Sequence, residues 1–444
     1  MTTQSHDRTL SIGATPLIVR IGTIALAAGL LVLTAGARGQ SPEAKAPTYT
    51  VLYSFTGGTD GAIPIGGNLI LDAEGTLFGT TGWGGDLSCF DDNPPGCGVV
   101  FKVDKTGKET VLHKFTGGTD GILSFSGLVR DDAGNLYGNT SSGGTAGAGV
   151  VFKLDAARQE TILYTFSGKA DGRYPDYAVL RDDKGNLYGT TENGGDLSGC
   201  GGTGCGVVFK VEPSGKETVL YSFTGGTDGG VPNDLIQDEN GTLYGTTSSG
   251  GDLSACGGSG CGVVFKVDKA GKETVLYRFT GGADGFAPYA GVVRDESGNL
   301  FGTTSSGGDL SGCGGSGCGT VFKLNTAGKK TDLYRFTGGA DGGNPYSDLI
   351  RDAAGNLYST AYTGGQLGCF GGGTECGVVF KVEPSGKETV LHTFTGGKDG
   401  GVSSDGLVSD GAGNLYGTTG YGGAFPEGCS GYGCGVVFKI GLQE

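Results

Sequence analysis

Carboxylates are the residues of this 444-residue chain best placed to do chemistry, and they return at fixed intervals. Seven Gly-x-x-Asp-Gly segments carry Asp60, Asp120, Asp171, Asp228, Asp284, Asp341 and Asp399. A ring of carboxylates is a candidate Ca²⁺ site, but calcium takes six or more oxygens and no segment here has the dense spacing of a calcium loop. An Asp-Gly turn entering the next strand explains the set without an ion, so no metal or other cofactor is expected. Histidine is nearly absent: of three, His6 lies in a leader, while His113 and His392 stand where sister segments carry Tyr53, Tyr164, Tyr221, Tyr277 and Tyr334. A Ser-His or Cys-His nucleophile is therefore not supported. What remains is carboxylate chemistry such as glycoside hydrolysis, which needs two acids about 5–10 Å apart. No pair is singled out; two or three close acids with raised pKa in a channel would favour an enzyme.

The elements that must position these groups are copies of one hairpin. Its Gly-x-Val-Phe-Lys core begins at Gly98, Gly149, Gly206, Gly262, Gly319, Gly377 and Gly435, and a turn leads into Glu217–Phe223 or a counterpart. Aligned on the closing aromatic (Phe55, Phe115, Phe166, Phe223, Phe279, Phe336, Phe394), the copies are spaced by 60, 51, 57, 56, 57 and 58 residues. A period near 50 with several short strands is that of a propeller. The 96 glycines and 13 prolines fall at fixed places in each copy, which marks turns and not low complexity. Each period reads as four strands: one after a proline, as in Val231–Ile236, one at Thr242–Thr247, then the two of the hairpin. Thr48–Phe55 is a fourth strand with no blade before it, and Gly435–Ile440 a third strand with none behind it. Joined, they complete a blade and leave no sticky edge. The chain reads as an all-β, seven-bladed β-propeller of four-stranded blades over residues 48–444, closed by its N-terminal strand, after a leader (1–37) and linker (38–47).

Alternation of strands puts the short, uniform turns on one face and the long, variable loops on the other, so binding is expected on the long-loop face. The first strands of a propeller line its central channel, and here equivalent positions differ between repeats. Tyr174, Asp176 and Tyr177, Asn233 and Asp234, Phe286 and Tyr289, and Tyr346 are the candidate ligand-binding residues. Aromatics mixed with Asp and Asn suit stacking on a sugar and hydrogen bonding to it, although packing between blades also explains any one of them.

Twelve cysteines form six close pairs: Cys89/Cys97, Cys200/Cys205, Cys256/Cys261, Cys313/Cys318, Cys369/Cys376 and Cys429/Cys434. The second repeat lacks both members, which predicts a disulfide within each of the other repeats. Zinc knuckles are disfavoured by the spacing and the scarcity of histidine. Residues 1–37 have the parts of a secretory leader: Arg8 and Arg20, the apolar run Ile21–Leu33, and Ala35-Gly36-Ala37. Its run of about 13 residues is too short to span a membrane. Removing it takes away Arg8, Arg20 and Asp7 and moves the net charge from −15 to −16. A chain this acidic repels nucleic acid and anionic membranes. The expectation is a monomer, secreted, periplasmic or at the cell exterior, with a glycan or a protein as partner.

Two apparent motifs have simpler readings. A four-residue hairpin turn sets Lys210 opposite Glu217 and Lys266 opposite Glu273, a solvated cross-strand pair, with Lys330 breaking the pattern. Gly199–Gly204 and Gly312–Gly317 match Gly-x-Gly-x-x-Gly but open no helix, so they are disulfide loops and not dinucleotide sites.

Gly185–Thr191 (GNLYGTT), Gly206–Val211 (GVVFKV) and Glu217–Gly229 (ETVLYSFTGGTDG) resemble the GloVer tandem repeat of secreted, "choice-of-anchor" bacterial proteins. The likeness runs from residue 48 to 440. It implies an exported, propeller-like protein and no particular activity. Many such proteins carry a C-terminal sorting anchor, whereas this chain ends Gly441-Leu442-Gln443-Glu444 with no apolar tail, which puts surface anchoring in doubt. The single Trp83 argues against quinoprotein, WD40 and kelch propellers. Two functions are carried forward: a non-catalytic extracellular binding or scaffold propeller, and a secreted carbohydrate-active enzyme using carboxylates at the channel mouth.

Overall fold

The computed structural model describes residues 46–89, 94–369, 374–425, 429 and 431–442; the leader expected at 1–37 lies outside them. Val, Phe and Leu alternate with small residues in each repeat, and seven four-stranded antiparallel sheets result. In blade 3, Leu180–Arg181, Leu187–Thr191, Val207–Val211 and Glu217–Ser222 follow one another outward, and the pattern repeats around a ring. Blade 6 adds a small two-stranded ribbon, Leu367–Cys369 with Thr374–Glu375, in its disulfide loop. The described residues contain 3₁₀ turns and no α-helix.

The ring closes as the termini predict. Thr48–Ser54 pairs antiparallel with Val436–Gly441 and completes the seventh blade, Val51 facing Phe438 and Ser54 facing Val436. Phe55 then stacks edge-on against Phe101 of blade 1, ring centroids 5.0 Å apart, so the N-terminal strand ties the last blade to the first. The same step recurs at each blade boundary, as where Phe166 meets Phe209 at 5.1 Å. Gly189 exists for this packing: a Cβ there would lie 2.6 Å from the ring of Phe209.

First strands are shorter than expected. In six blades regular pairing covers two residues, and in all seven the segment before it begins with a left-handed residue, followed in five by a proline that cannot donate. Blade 4 alone keeps the long strand Gly230–Gln237, bulged between Pro232 and Leu235. Its stretch from the left-handed Val231 to the buried Leu235 is one residue shorter than the matching Tyr174-to-Val179 stretch of blade 3.

The hairpin register also differs from the expectation. Lys210 faces Thr218 and Glu217 faces Val211; Lys266 faces Thr274. The loop holds five residues, closed by Glu212 N–H donating to Lys216 O (2.9 Å) around the left-handed Gly215. One extra residue flips the side chains that follow to the other face of the sheet. The lysines stay on the solvated face, where Lys210 meets Glu212 at 3.2 Å, and the glutamates turn into the seams between blades.

All six predicted disulfides are present: Cys89–Cys97, Cys200–Cys205, Cys256–Cys261, Cys313–Cys318, Cys369–Cys376 and Cys429–Cys434. Their placement corrects the picture of bonds confined to the variable loops. The second cysteine of every pair (Cys97, Cys205, Cys261, Cys318, Cys376 and Cys434) is fully buried and belongs to a hydrophobic core cluster. The reason is its place in the chain, one glycine ahead of the third strand, whose Val-Phe residues fill the blade interior. These cysteines are thus structural, part of the packing and not of a ligand-facing surface. Each bond lies beneath the crossover to the next blade. A Cβ on Gly225 would come within 2.6 Å of Cys205 Sγ, and φ there is +72°, so only glycine fits. Six disulfides place this fold in an oxidising environment, extracellular or periplasmic.

Candidate functional site at the channel mouth

Seven equivalent residues head the first strands with positive φ, among them Ile63 (53°), Val231 (57°) and Val402 (56°), a conformation costly for β-branched side chains. The backbone is held there from the neighbouring blade. Val231 N–H donates to Cys205 O (2.9 Å), Ala287 N–H to Cys261 O (3.0 Å) and Val402 N–H to Cys376 O (2.9 Å), so the disulfide loops fix the rim of the channel. A further tie comes from second-strand threonines. Thr190 Oγ1 donates to Asn233 O (3.0 Å) and Thr246 Oγ1 to Ala290 O (2.7 Å), each reaching into the next blade.

This frame presents unlike side chains. Tyr346 stands between Tyr289 and Tyr362, ring centroids 5.3 Å from each, and Tyr289 is 40 % exposed. Burial, then the neighbouring phenols, pushes the Tyr346 hydroxyl up, so it stays a neutral donor. In blade 3, half-buried Asp176 faces Glu192, which occupies the place of Ser141, Ser248 and Tyr362 in other blades. Asp176 Oδ1 is buried and finds no donor. Burial, helped by the Glu192 carboxylate, pushes the Asp176 carboxyl up. Tyr177 lies within reach of both acids and of a second pair deeper in the channel, Asp234 with Asp348. There burial and the Asp348 charge push Asp234 well up. Asp234 accepts from Ala178 N–H (3.0 Å), Asp348 from Gly291 N–H (2.7 Å) and Asn68 Nδ2 (2.9 Å), and Asn68 Oδ1 from Gly406 N–H (2.7 Å). First strands of six blades meet in this knot. Asp405 accepts from Gly66 N–H and Thr418 Oγ1, and burial raises its carboxyl to about 7.

The remaining candidates are used otherwise. Asn233 is fully buried, its amide donating to Thr246 Oγ1 at 2.8 Å and to Pro288 O at 2.5 Å, which makes it a tie between blades 4 and 5. Phe286 packs against a core cluster at a seam. Tyr174 is covered by the Arg173 guanidinium, 4.2 Å from its ring centroid. A hollow of ≈ 790 Å³ opens at the opposite, short-turn mouth, lined by Arg130, Arg181, Gln237 and Asp131 among others. Its two arginines stack on Phe78 and Tyr137 of neighbouring blades, so they are committed to packing, and the long-loop mouth keeps the uncommitted aromatics.

The seams form a second class of site. The crossover aspartates are capped turns, as expected: Asp228 accepts from Thr224 N–H (2.8 Å) and Tyr221 Oη (3.0 Å). Facing it across the seam is Glu273 of the next blade. Burial, then the Asp228 charge, raises Glu273 to about 7; Glu109, Glu160, Glu217 and Glu388 are raised likewise. Lys330 takes the glutamate's place in blade 5 and meets Asp284 and Asp332. Tyr49 takes it in blade 7 and stacks on His392 at 3.8 Å.

A family model, the Gloeobacter/Verrucomicrobia repeat, matches residues 41–259 and 253–444. The chain belongs to that family. No curated protein matches it. Solved structures share the fold at low identity. A fungal alcohol oxidase in complex with copper is 12 % identical, with 89 % of this chain and 76 % of that one covered and a TM-score of 0.50. A gluconolactonase from Xanthomonas campestris is 14 % identical (89 % and 90 % covered, TM-score 0.41), and a PQQ-bound aldose sugar dehydrogenase from Streptomyces coelicolor is 13 % identical (90 % and 100 %, TM-score 0.40).

In this Gloeobacter/Verrucomicrobia repeat protein the channel also uses residues that sequence reasoning passed over: Asn68, Glu192, Asp348, Asp405 and Tyr362. Each departs from the repeat. Asn68, Asp234 and Asp348 precede the buried Leu69, Leu235 and Leu349, where Gly127, Gly291 and Gly406 stand in other blades, and that contrast was the available signal.

Proposed function

We propose that this protein is an exported, non-catalytic glycan-binding propeller whose ligand lies across the long-loop mouth of the channel. The observation that carries this reading is the bank Tyr289–Tyr346–Tyr362, clustered and partly exposed at a mouth that also presents Asp176 and Glu192. Tyrosine faces stack on the apolar face of a pyranose, and carboxyl oxygens take its hydroxyls. Exposed Leu87, Leu197, Leu253 and Leu310, each just ahead of a disulfide loop, offer a protein partner an apolar edge.

The enzyme reading draws on one observation, the raised acid pairs in the channel. Their spacing bears on it. Asp176 lies within hydrogen-bonding reach of Glu192, and Asp234 of Asp348, whereas two carboxylates flanking a glycosidic bond stand about 5–10 Å apart. Hydrolysis here would have to pass through water activated by two acids in direct contact. The test is a glycan array on the purified protein, then titration of any hit against Tyr346→Ala and a reducing-end assay. Binding lost in Tyr346→Ala without new reducing ends supports the proposal. Turnover abolished by Asp176→Asn supports the enzyme, and no glycan binding at all overturns both.

A further inference from the structure

One seam differs from its sisters in its donor atoms. Where blades 1 and 2 meet, His113 replaces the tyrosine, and its Nε2 lies 3.5 Å from Glu160 Oε1 and 3.9 Å from Asp120 Oδ2. The three donors lie within 4.8 Å of one another. In the sister seams the tyrosine hydroxyl donates straight to the aspartate: Tyr53 to Asp60 at 2.9 Å, Tyr164 to Asp171 at 3.0 Å, Tyr334 to Asp341 at 2.9 Å. His113 makes no such bond. Its Nε2 is a buried atom with no hydrogen-bond partner, and it faces a Glu160 Oε1 that is unpartnered as in the sister glutamates Glu109, Glu217, Glu273 and Glu388. The other substituted seam is an internal control: His392 Nε2 reaches Asp399 at 3.2 Å, but Tyr49 stands in the glutamate's place, leaving a single carboxylate.

We propose that His113, Asp120 and Glu160 form a binding site for one divalent transition-metal ion of the zinc type. Donors bound about 2.0–2.2 Å from a tetrahedral Zn²⁺ are themselves roughly 3.3 Å apart, so gaps of 3.5 and 3.9 Å close with shifts of a few tenths of an ångström. One imidazole nitrogen with two carboxylates suits Zn²⁺ or Co²⁺ better than Ca²⁺ or Mg²⁺, which take oxygen alone. A phenol in the same place keeps its proton and satisfies the aspartate by hydrogen bonding, which is why the sister seams need no ion. The three side chains are 18 %, 15 % and 13 % exposed, so the site lies just beneath the surface of the seam. The ion would staple blade 1 to blade 2, whose repeat has no disulfide. This site is independent of the channel mouth.

The test uses untagged mature protein, stripped with chelator and titrated with Co²⁺ by visible absorption and with Zn²⁺ by calorimetry. The expected result is one equivalent bound with micromolar affinity or better and a rise in Tm on adding Zn²⁺. His113→Tyr rebuilds the seam found at Tyr164 and so keeps the fold; it should bind at least 100-fold more weakly, Glu160→Gln at least tenfold more weakly, and His392→Tyr as the parent does. The proposal is overturned if the parent binds no ion, if His113→Tyr keeps its equivalent, or if His392→Tyr is the variant that loses it.

Discussion

The seams between blades and the wall of the channel are built from the same seven repeats, yet they have diverged to different degrees. At the seams a tyrosine, a crossover aspartate and a glutamate recur, with substitutions confined to His113, His392, Lys330 and Tyr49. On the channel wall, Asp176, Asn233, Tyr289 and Tyr346 follow one another at equivalent places. A position that must repeat to hold the ring is fixed by geometry. A position that varies from blade to blade is not fixed by the closure of the ring, and the proposed glycan site is drawn from such positions.

That contrast is broken most severely at the closing seam. Removing Thr48–Phe55 strips the burial of Val51, Tyr53 and Phe55 and leaves Val436–Gly441 an open edge. At ~1.5–3 kcal/mol for each side chain the loss is several kcal/mol. Denaturant unfolding should show it, and a truncated protein that melts within a degree or two of the parent would mean the ring is closed by other contacts.

Next comes the disulfide layer. Cys200→Ser with Cys205→Ser opens a short loop, and the entropy model gives about 2 kcal/mol. Because Cys205 O also anchors Val231, glycan binding should weaken as well. Thiol titration of denatured, unreduced protein should find essentially no free thiol; six or more would count against the pairing.

A smaller effect belongs to the seam glutamates. Their folded pKa of about 7 lies above the value of about 4.3 in an unfolded chain, so the folded state holds more protons between those limits. Their stabilising contribution is complete below pH 4 and is lost as pH rises through 7. Tm should therefore climb as pH falls from 8 to 5, and Glu217→Gln should flatten the slope. A Tm that drops over that range would contradict the raised seam glutamates.

The least effect on stability is expected at the channel mouth. Tyr346→Ala and Asp176→Asn should each change unfolding free energy by less than about 1 kcal/mol while weakening glycan binding tenfold or more. Large destabilisation by either would place the mouth among the seams, as structure and not as a site.

Much of this architecture is legible in the sequence because repetition averages away ambiguity. The paired loss of cysteines in one repeat identifies the disulfides, and two incomplete blades at the ends identify the closure. Single-residue register is not so protected. A five-residue loop looks like a four-residue one until the Glu212–Lys216 hydrogen bond is seen, and that one step moves Glu217 from solvent into a seam. The acid pairs were hidden for another reason. Asp234 and Asp348 sit in different blades, 114 positions apart by number, and meet only because the ring brings first strands together at its axis. Asn233 misled because a polar residue beside the channel can turn its amide into the neighbouring blade.

The pairing of Thr48–Ser54 with Val436–Gly441 also dictates an order of events. Six blades draw their four strands from contiguous chain and can form as soon as those strands exist. The seventh cannot: its outermost strand is made first and its partner last. Throughout synthesis that strand waits as an unpaired edge, the kind of surface that recruits wrong partners. Closure is consequently the longest-range pairing in the fold, and of the seven blades only this one is held by two ends of the chain.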